Sequence, residues 1–140
     1  LPAFTIVQNN ISFNDKAGAT RGLHAEPWNK FISTANGRVF GAWCDVRQGP
    51  TFGHTFSVEI NPGTAVFVPK GVANGYQTLD DNVAYTYLVD AHWSPDAQYT
   101  FVNLFDPALD IAWPLGKDKA IISHKDAAHP LLRDVQPMEL

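Results

Sequence analysis

Residues 55–68 read TFSVEINPGTAVFV: two runs rich in β-branched and aromatic residues, 55–60 and 65–68, flank the turn cluster Asn61-Pro62-Gly63. The same alternation of strand and turn extends in both directions. Residues 4–7 (FTIV), 31–34 (FIST), 39–46 (VFGAWCDV), 83–89 (VAYTYLV) and 99–102 (YTFV) also read as strands. Asn14-Asp15, Asn36-Gly37, Gln48-Gly49-Pro50 and Asp80-Asp81-Asn82 separate them, and Asn36-Gly37 carries the clearest two-residue hairpin signal. In 83–89, Val83, Tyr85, Tyr87 and Val89 share one face, and Ala84, Thr86 and Leu88 the other. Short strands at this spacing predict an all-β antiparallel sandwich or barrel. Helical signal is confined to residues 123–132 (SHKDAAHPLL), where Ser123 is placed to cap one short helix with Asp126 as its capping-box acid.

Composition narrows the function classes. A chain of 140 residues fits a single domain, 1–140, large enough to bury a core. With 12% aromatic and 17% charged residues it is not disordered, and a net charge of −4 argues against a nucleic-acid partner. No apolar stretch reaches the ~20 residues of a membrane helix, and no secretory leader is apparent, so a cytoplasmic location without membrane contact is expected. The lone Cys44 sits in an apolar run and is expected to be a buried structural thiol. The chain starts Leu-Pro-Ala-Phe, without Met, and is expected to be a piece of a longer one that lacks its native N-terminal segment.

Residues 63–74 (GTAVFVPKGVAN) carry the next signal. Gly63, Pro69 and Gly71 match the second motif of the metal-binding cupins, but Asn74 stands where that motif has a metal-ligating histidine. The first cupin motif is reduced to His24-Ala25-Glu26. The scaffold therefore resembles a cupin-type jelly-roll β-sandwich or barrel with a short C-terminal helical segment, and no metal or other cofactor is expected.

A longer series is more specific. Arg21-Gly22-Leu23-His24, Lys30, Asp45-Val46-Arg47, Pro50-Thr51-Phe52-Gly53, residues 69–75 (PKGVANG), Tyr87, Trp93-Ser94-Pro95, Asp106-Pro107, Trp113-Pro114 and Ser123-x-Lys125-Asp126 follow one another in this order. From about Gln8 to Leu132 the chain resembles the dTDP-4-dehydrorhamnose 3,5-epimerase family. The resemblance implies inversion at C3 and C5 of a dTDP-4-keto-6-deoxyhexose. Each inversion passes through an enolate and needs a base on one face of the ring, a donor for the enolate oxygen and an acid on the other face.

What the resemblance implies extends residue by residue. His24 matches the base, with Asp126 as the carboxylate that orients it; Lys30 matches the donor to the ketone oxygen and Tyr87 the acid, with Tyr85 as the fallback. Gln8, Asn9, Asn10, Arg21 and Lys125 match groups holding the diphosphate and sugar. Trp93 matches the aromatic that stacks on thymine, and Gln98 falls where the family has an acidic contact. His54, His92, His124 and His129 take no role. A homodimer is implied. Family members also carry a preceding segment that reaches the nucleotide, and residues 135–138 (VQPM) resemble the junction of epimerases fused to a reductase domain.

Two positions depart from the family together: Asn74 replaces a histidine, and Gly41 an aspartate. Asn74 can still hold the substrate by hydrogen bonds but cannot carry a proton. The rival readings are a single-carbon epimerase or ketoisomerase on the same kind of nucleotide sugar, a non-catalytic sugar-nucleotide-binding module, and a metal-dependent cupin oxygenase.

Overall fold

The computed structural model describes residues 2–140. Among them run strands β1 (Gln8–Asn14), β2 (Thr20–Ala25), β3 (Lys30–Asn36), β4 (Val39–Asp45), β5 (Thr55–Ile60), β6 (Ala65–Val68), β7 (Val72–Thr78), β8 (Val83–Val89) and β9 (Thr100–Phe101). All pair antiparallel, in a four-stranded sheet ordered β1-β8-β3-β6 and a five-stranded sheet ordered β5-β4-β7-β2-β9. This is the antiparallel sandwich that the strand and turn pattern predicts, in the cupin-like form that the resemblance implies.

Strand β4 shows why its sequence lacks clean alternation. Val39 and Trp43 pack with Ile32, Val68, Tyr76, Val83 and Tyr85. Cys44, together with Val46 just beyond the strand, packs instead with Leu23, Ala73, Val102, Leu104 and Met138. A strand covered on both faces has no solvent side to mark with polar residues. Cys44 is fully buried, and burial pushes its thiol up to about 12, so it is an inert structural thiol.

The second cover comes from the C-terminal segment. It contains 3-10 turns at Pro107–Leu109 and Leu132–Asp134 and a one-turn helix, α1 (His124–Ala127). Ser123 caps α1 as predicted, its Oγ accepting from the Asp126 N–H at 3.0 Å. The one short helix expected within 123–132 is this single turn, but Asp126 does not complete a capping box: its carboxylate goes to β2 instead. Further on, Met138 is buried, donating its N–H to the Val46 carbonyl and accepting from the Gln48 N–H, both at 2.8 Å. The segment that resembles a fusion junction thus packs into this fold.

Asn36-Gly37 is not a hairpin. β3 pairs with β6 and β8, whereas β4 pairs with β5 and β7, so this turn carries the chain from one sheet to the other. Of the two residues only Gly37 has a positive φ, at 77°, whereas a type I′ hairpin turn needs it at both. Asn61-Pro62-Gly63 likewise joins strands of different sheets. The first strand starts at Gln8, beyond the apolar run 4–7, and β9 is confined to Thr100–Phe101. No helix among the described residues is long and apolar enough to cross a membrane.

Candidate active site

Strands β1, β2, β3, β7 and β8, with Glu26 just past β2, direct polar side chains into a cleft of about 200 Å³ lined by Ser12, Arg21, His24, Glu26, Lys30, Asn74, Tyr76, Tyr85 and Tyr87. β2 and β7 are paired so that His24 stands opposite Asn74. These strands read poorly as strands in sequence because the inward positions that would be apolar in a plain core line the cleft instead.

His24 Nε2 lies 2.8 Å from Asp126 Oδ1, and the Gly22 N–H donates to Asp126 Oδ2 at 3.1 Å. Burial pushes the Asp126 carboxyl up, but the bonds from His24 and the Gly22 amide outweigh it and hold it below the ordinary carboxylate range. The carboxylate therefore accepts, His24 Nε2 carries the hydrogen, and Nδ1 is left as the basic nitrogen. Gly22 is required here: its φ is 120°, and a Cβ would fall 2.7 Å from the Asn74 carbonyl oxygen and from Gly75 Cα.

Lys30 opens β3 and is only 3% exposed; its ammonium pairs with the Glu26 carboxylate at the cleft wall. A buried ammonium needs such a partner. Tyr85 and Tyr87 share the inward face of β8, as the alternation predicts. Tyr85 is buried, stacked on Tyr76 with ring centroids 3.9 Å apart, and its hydroxyl accepts from Asn74 Nδ2 at 3.1 Å. Tyr87 is only half-buried and keeps its hydroxyl open to the cleft. Burial pushes the Tyr87 phenol up, and the nearby Glu26 charge adds to it, so it holds its proton at neutrality.

A second hollow of about 300 Å³ adjoins the first and shares His24 and Glu26; Trp93, Tyr99, Phe101, Lys125 and Asp126 complete it. Trp93 is 66% exposed and lies nearly parallel to Tyr99, at 15° and 6.4 Å between centroids. Two flat rings beside an ammonium suit a heteroaromatic base with an attached anion.

Of the residues singled out in sequence, His24, Asp126, Lys30, Tyr87, Arg21, Asn74, Trp93 and Lys125 line one or both hollows. Gln8 donates to Asn10 at 2.7 Å and meets His92 Nδ1 at 3.0 Å, but neither Gln8 nor Asn10 lines these hollows. Asn9 points the other way: alternation along β1 puts it on the outward face with Ile11 and Phe13. Gln98 is exposed in the loop before β9. Glu26, Tyr76 and Tyr99 join the site without having been assigned a role in it. Only the spacing of Glu26 two residues after His24 on one strand edge could have flagged the first.

A family model described as dTDP-4-dehydrorhamnose 3,5-epimerase matches residues 2–134. A Streptococcus pyogenes protein described as an RmlC homolog is 48% identical over 136 residues, covering 95% of this chain and 68% of its own length. The dTDP-4-dehydrorhamnose 3,5-epimerase of Mycobacterium tuberculosis is 35% identical over 128 residues, covering 86% of this chain and 63% of its own length. The chain thus spans about two thirds of these relatives. RmlC from Streptococcus suis, solved in complex with dTDP-D-xylose, superposes with a TM-score of 0.87 at 50% identity, covering 94% of this chain and 68% of that one. A match that runs through both sheets and the C-terminal cover leaves one placement: the chain belongs to the dTDP-4-dehydrorhamnose 3,5-epimerase family.

Proposed function

We infer that the protein epimerises C3 and C5 of dTDP-4-keto-6-deoxy-D-glucose to give dTDP-4-keto-L-rhamnose, a step in making dTDP-L-rhamnose. The observation that carries this is the His24–Asp126 pair opening into the same cleft as the buried Lys30 and the accessible Tyr87. His24 Nδ1 takes the proton next to the ketone, and Asp126 stabilises the imidazolium that forms. Lys30 donates to the oxygen as it becomes an enolate, in a cleft where a fixed donor counts for more than in water. Tyr87 returns a proton to the opposite face. Each turn leaves His24 protonated and Tyr87 deprotonated, and exchange with solvent resets both. Trp93 and Tyr99 take the thymine, while Lys125 and Arg21 face the diphosphate.

A single-carbon epimerase is the second reading, favoured by Asn74, which cannot relay a proton. Both readings are tested by incubating the protein with dTDP-4-keto-6-deoxyglucose in heavy water and following the C3 and C5 protons by NMR, beside His24→Ala. Exchange at both carbons, lost in the variant, supports the 3,5-epimerase; exchange at one carbon replaces it with the second reading. No exchange with the ligand bound overturns both in favour of a binding module.

Two further features belong to this proposal. Ile11 and Phe13 are 65% and 64% exposed on the outward face of β1, at the edge of its sheet, where a second copy of the chain would cover them. Ile11→Glu should shift the protein from dimer to monomer in analytical ultracentrifugation. The unpaired Cys44 fits a reducing, cytoplasmic compartment.

A further inference from the structure

Behind the His24–Asp126 pair lies His129, only 8% exposed and unused by the mechanism above. Its Nδ1 is 3.2 Å from the Gly22 carbonyl oxygen, which only accepts, so Nδ1 carries the hydrogen in that bond. Nε2 of the neutral ring is then a bare lone pair. It is buried without a hydrogen-bond partner among the described residues, 3.7 Å from Asp126 Oδ1. A buried lone pair facing a carboxylate oxygen is unfavourable unless something positive stands between them.

We propose that His24, Asp126 and His129 form a binding site for a divalent transition metal of the zinc class, through which such an ion reversibly inhibits the enzyme. One donor atom from each residue lies within 4.8 Å of the other two. A tetrahedral ion with bonds of ~2.0–2.2 Å spaces its ligands about 3.4 Å apart, and the pairs at 2.8 and 3.7 Å bracket that spacing. The His24 and His129 rings stand at 80° with centroids 5.4 Å apart. Two imidazoles on one tetrahedral ion have centroids about 5 Å apart.

The surroundings are those of a metal ligand set. His129 donates its other N–H to a backbone carbonyl, which fixes the tautomer that leaves Nε2 free, and Asp126 Oδ2 is held by the Gly22 N–H at 3.1 Å. Phe101 lies nearly flat against His129, at 20° and 4.8 Å, and sets the ring plane. The hollow beside Trp93 gives access and room for a water as fourth ligand. Two imidazoles and one carboxylate suit zinc better than magnesium or calcium. The position differs from the barrel-metal motif, in which Asn74 holds the place of a ligand.

Binding has a chemical consequence for the proposed reaction, on which the inhibitory part of this inference rests. The ion takes the His24 Nε2 lone pair, so the ring switches to its other neutral tautomer and the hydrogen moves from Nε2 to Nδ1. With the metal on Nε2 and hydrogen on Nδ1 the imidazole has no lone pair left to take a proton from the sugar, and Asp126 is drawn to the metal.

The test uses the whole chain with zinc and cobalt ions. Equilibrium dialysis with Zn²⁺ and the visible spectrum with Co²⁺ are compared for the protein, for His129→Phe, which keeps the packing on Phe101 without a donor, and for His129→Gln. One ion per chain with tetrahedral cobalt absorption is expected, at least tenfold weaker in both variants. Sugar-proton exchange should stop on adding Zn²⁺, return with a chelator, and resist the same Zn²⁺ concentration in both variants. No binding, or equal affinity in all three proteins, would overturn the site. A protein that binds zinc through His129 but never exchanges sugar protons supports the site and overturns the epimerase reading alone.

Discussion

A Cβ on Gly41 and the indole of Trp43 would compete for one volume: the ideal Cβ position lies 2.5 Å from the ring. Trp43 in turn stands directly across from Asn74 in the pairing of β4 with β7. Gly41 and Asn74, the two positions singled out in the sequence, are therefore linked through Trp43. Its ring fills the space beside Gly41, and Asn74 turns its amide to the hydroxyl of Tyr85.

Gly41→Ala should therefore destabilise the protein by about 1–3 kcal/mol, the usual cost of overpacking a filled core. Urea unfolding, with the midpoint lowered at unchanged slope, checks it. Asn74→His should leave the fold intact and change the ratio of C3 to C5 exchange in heavy water. An unchanged ratio would remove Asn74 from any role in carbon selectivity.

Asp126→Asn should leave substrate binding nearly unchanged and lower kcat by a factor on the order of 10³–10⁴, since an amide no longer favours the tautomer that frees His24 Nδ1. Steady-state kinetics decide it: a rise in KM at constant kcat would make Asp126 a binding group only.

Removing one member of the Glu26–Lys30 pair should cost more than removing both. Glu26→Gln leaves a buried ammonium without its partner and should lower stability by about 3 kcal/mol, and adding Lys30→Met should restore part of that. For activity, Lys30→Met alone should lower kcat about a hundredfold, the typical loss of an enolate-oxygen donor. Additive stability losses would show that the two side chains do not depend on each other.

Asp45 supplies a pH dependence. Burial pushes its carboxyl up, but bonds from the Arg47 guanidinium, the Thr51 hydroxyl and the Arg47 amide outweigh this and hold it at about 2. A carboxylate depressed on folding stabilises the protein above its ordinary range near ~4, and that contribution disappears as pH falls through the folded value. The protein should thus lose roughly 2 kcal/mol between pH 5 and 2 that Asp45→Asn does not lose. Parallel stability curves for the two proteins would refute the assignment.

The legible parts of the fold are those where burial and strand pattern agree. Residues 55–60, 65–68 and 83–89 are strands with the bounds that alternation gives them, and the shared face of Tyr85 and Tyr87 is the face that meets the cleft. β1, β2 and β7 were not legible as strands, because QNNISFN, TRGLHA and VANGYQT carry polar groups inward. Turn chemistry at Asn36-Gly37 marked a reversal but not its partner, since a crossover between sheets uses the same residues as a hairpin. Within the site, His24, Lys30, Tyr87 and Asp126 are recognisable through the family pattern. Asn9 matches a binding position of the family, whereas alternation along β1 puts it on the outward face. His129 carries no signal in sequence, because Gly22, His24 and Phe101, which it meets, are all distant along the chain.

His24 and Asp126 are separated by 102 positions, and the carboxylate arrives on a single helical turn that follows every strand. Chains dominated by such distant contacts fold slowly, over milliseconds to seconds. Lys30 and Tyr87 belong to β3 and β8, which lie side by side in one sheet and pair with each other rather than with the C-terminal cover. A refolding chain should therefore recover a recognisable cleft before it recovers the dyad, with regained substrate affinity running ahead of regained turnover.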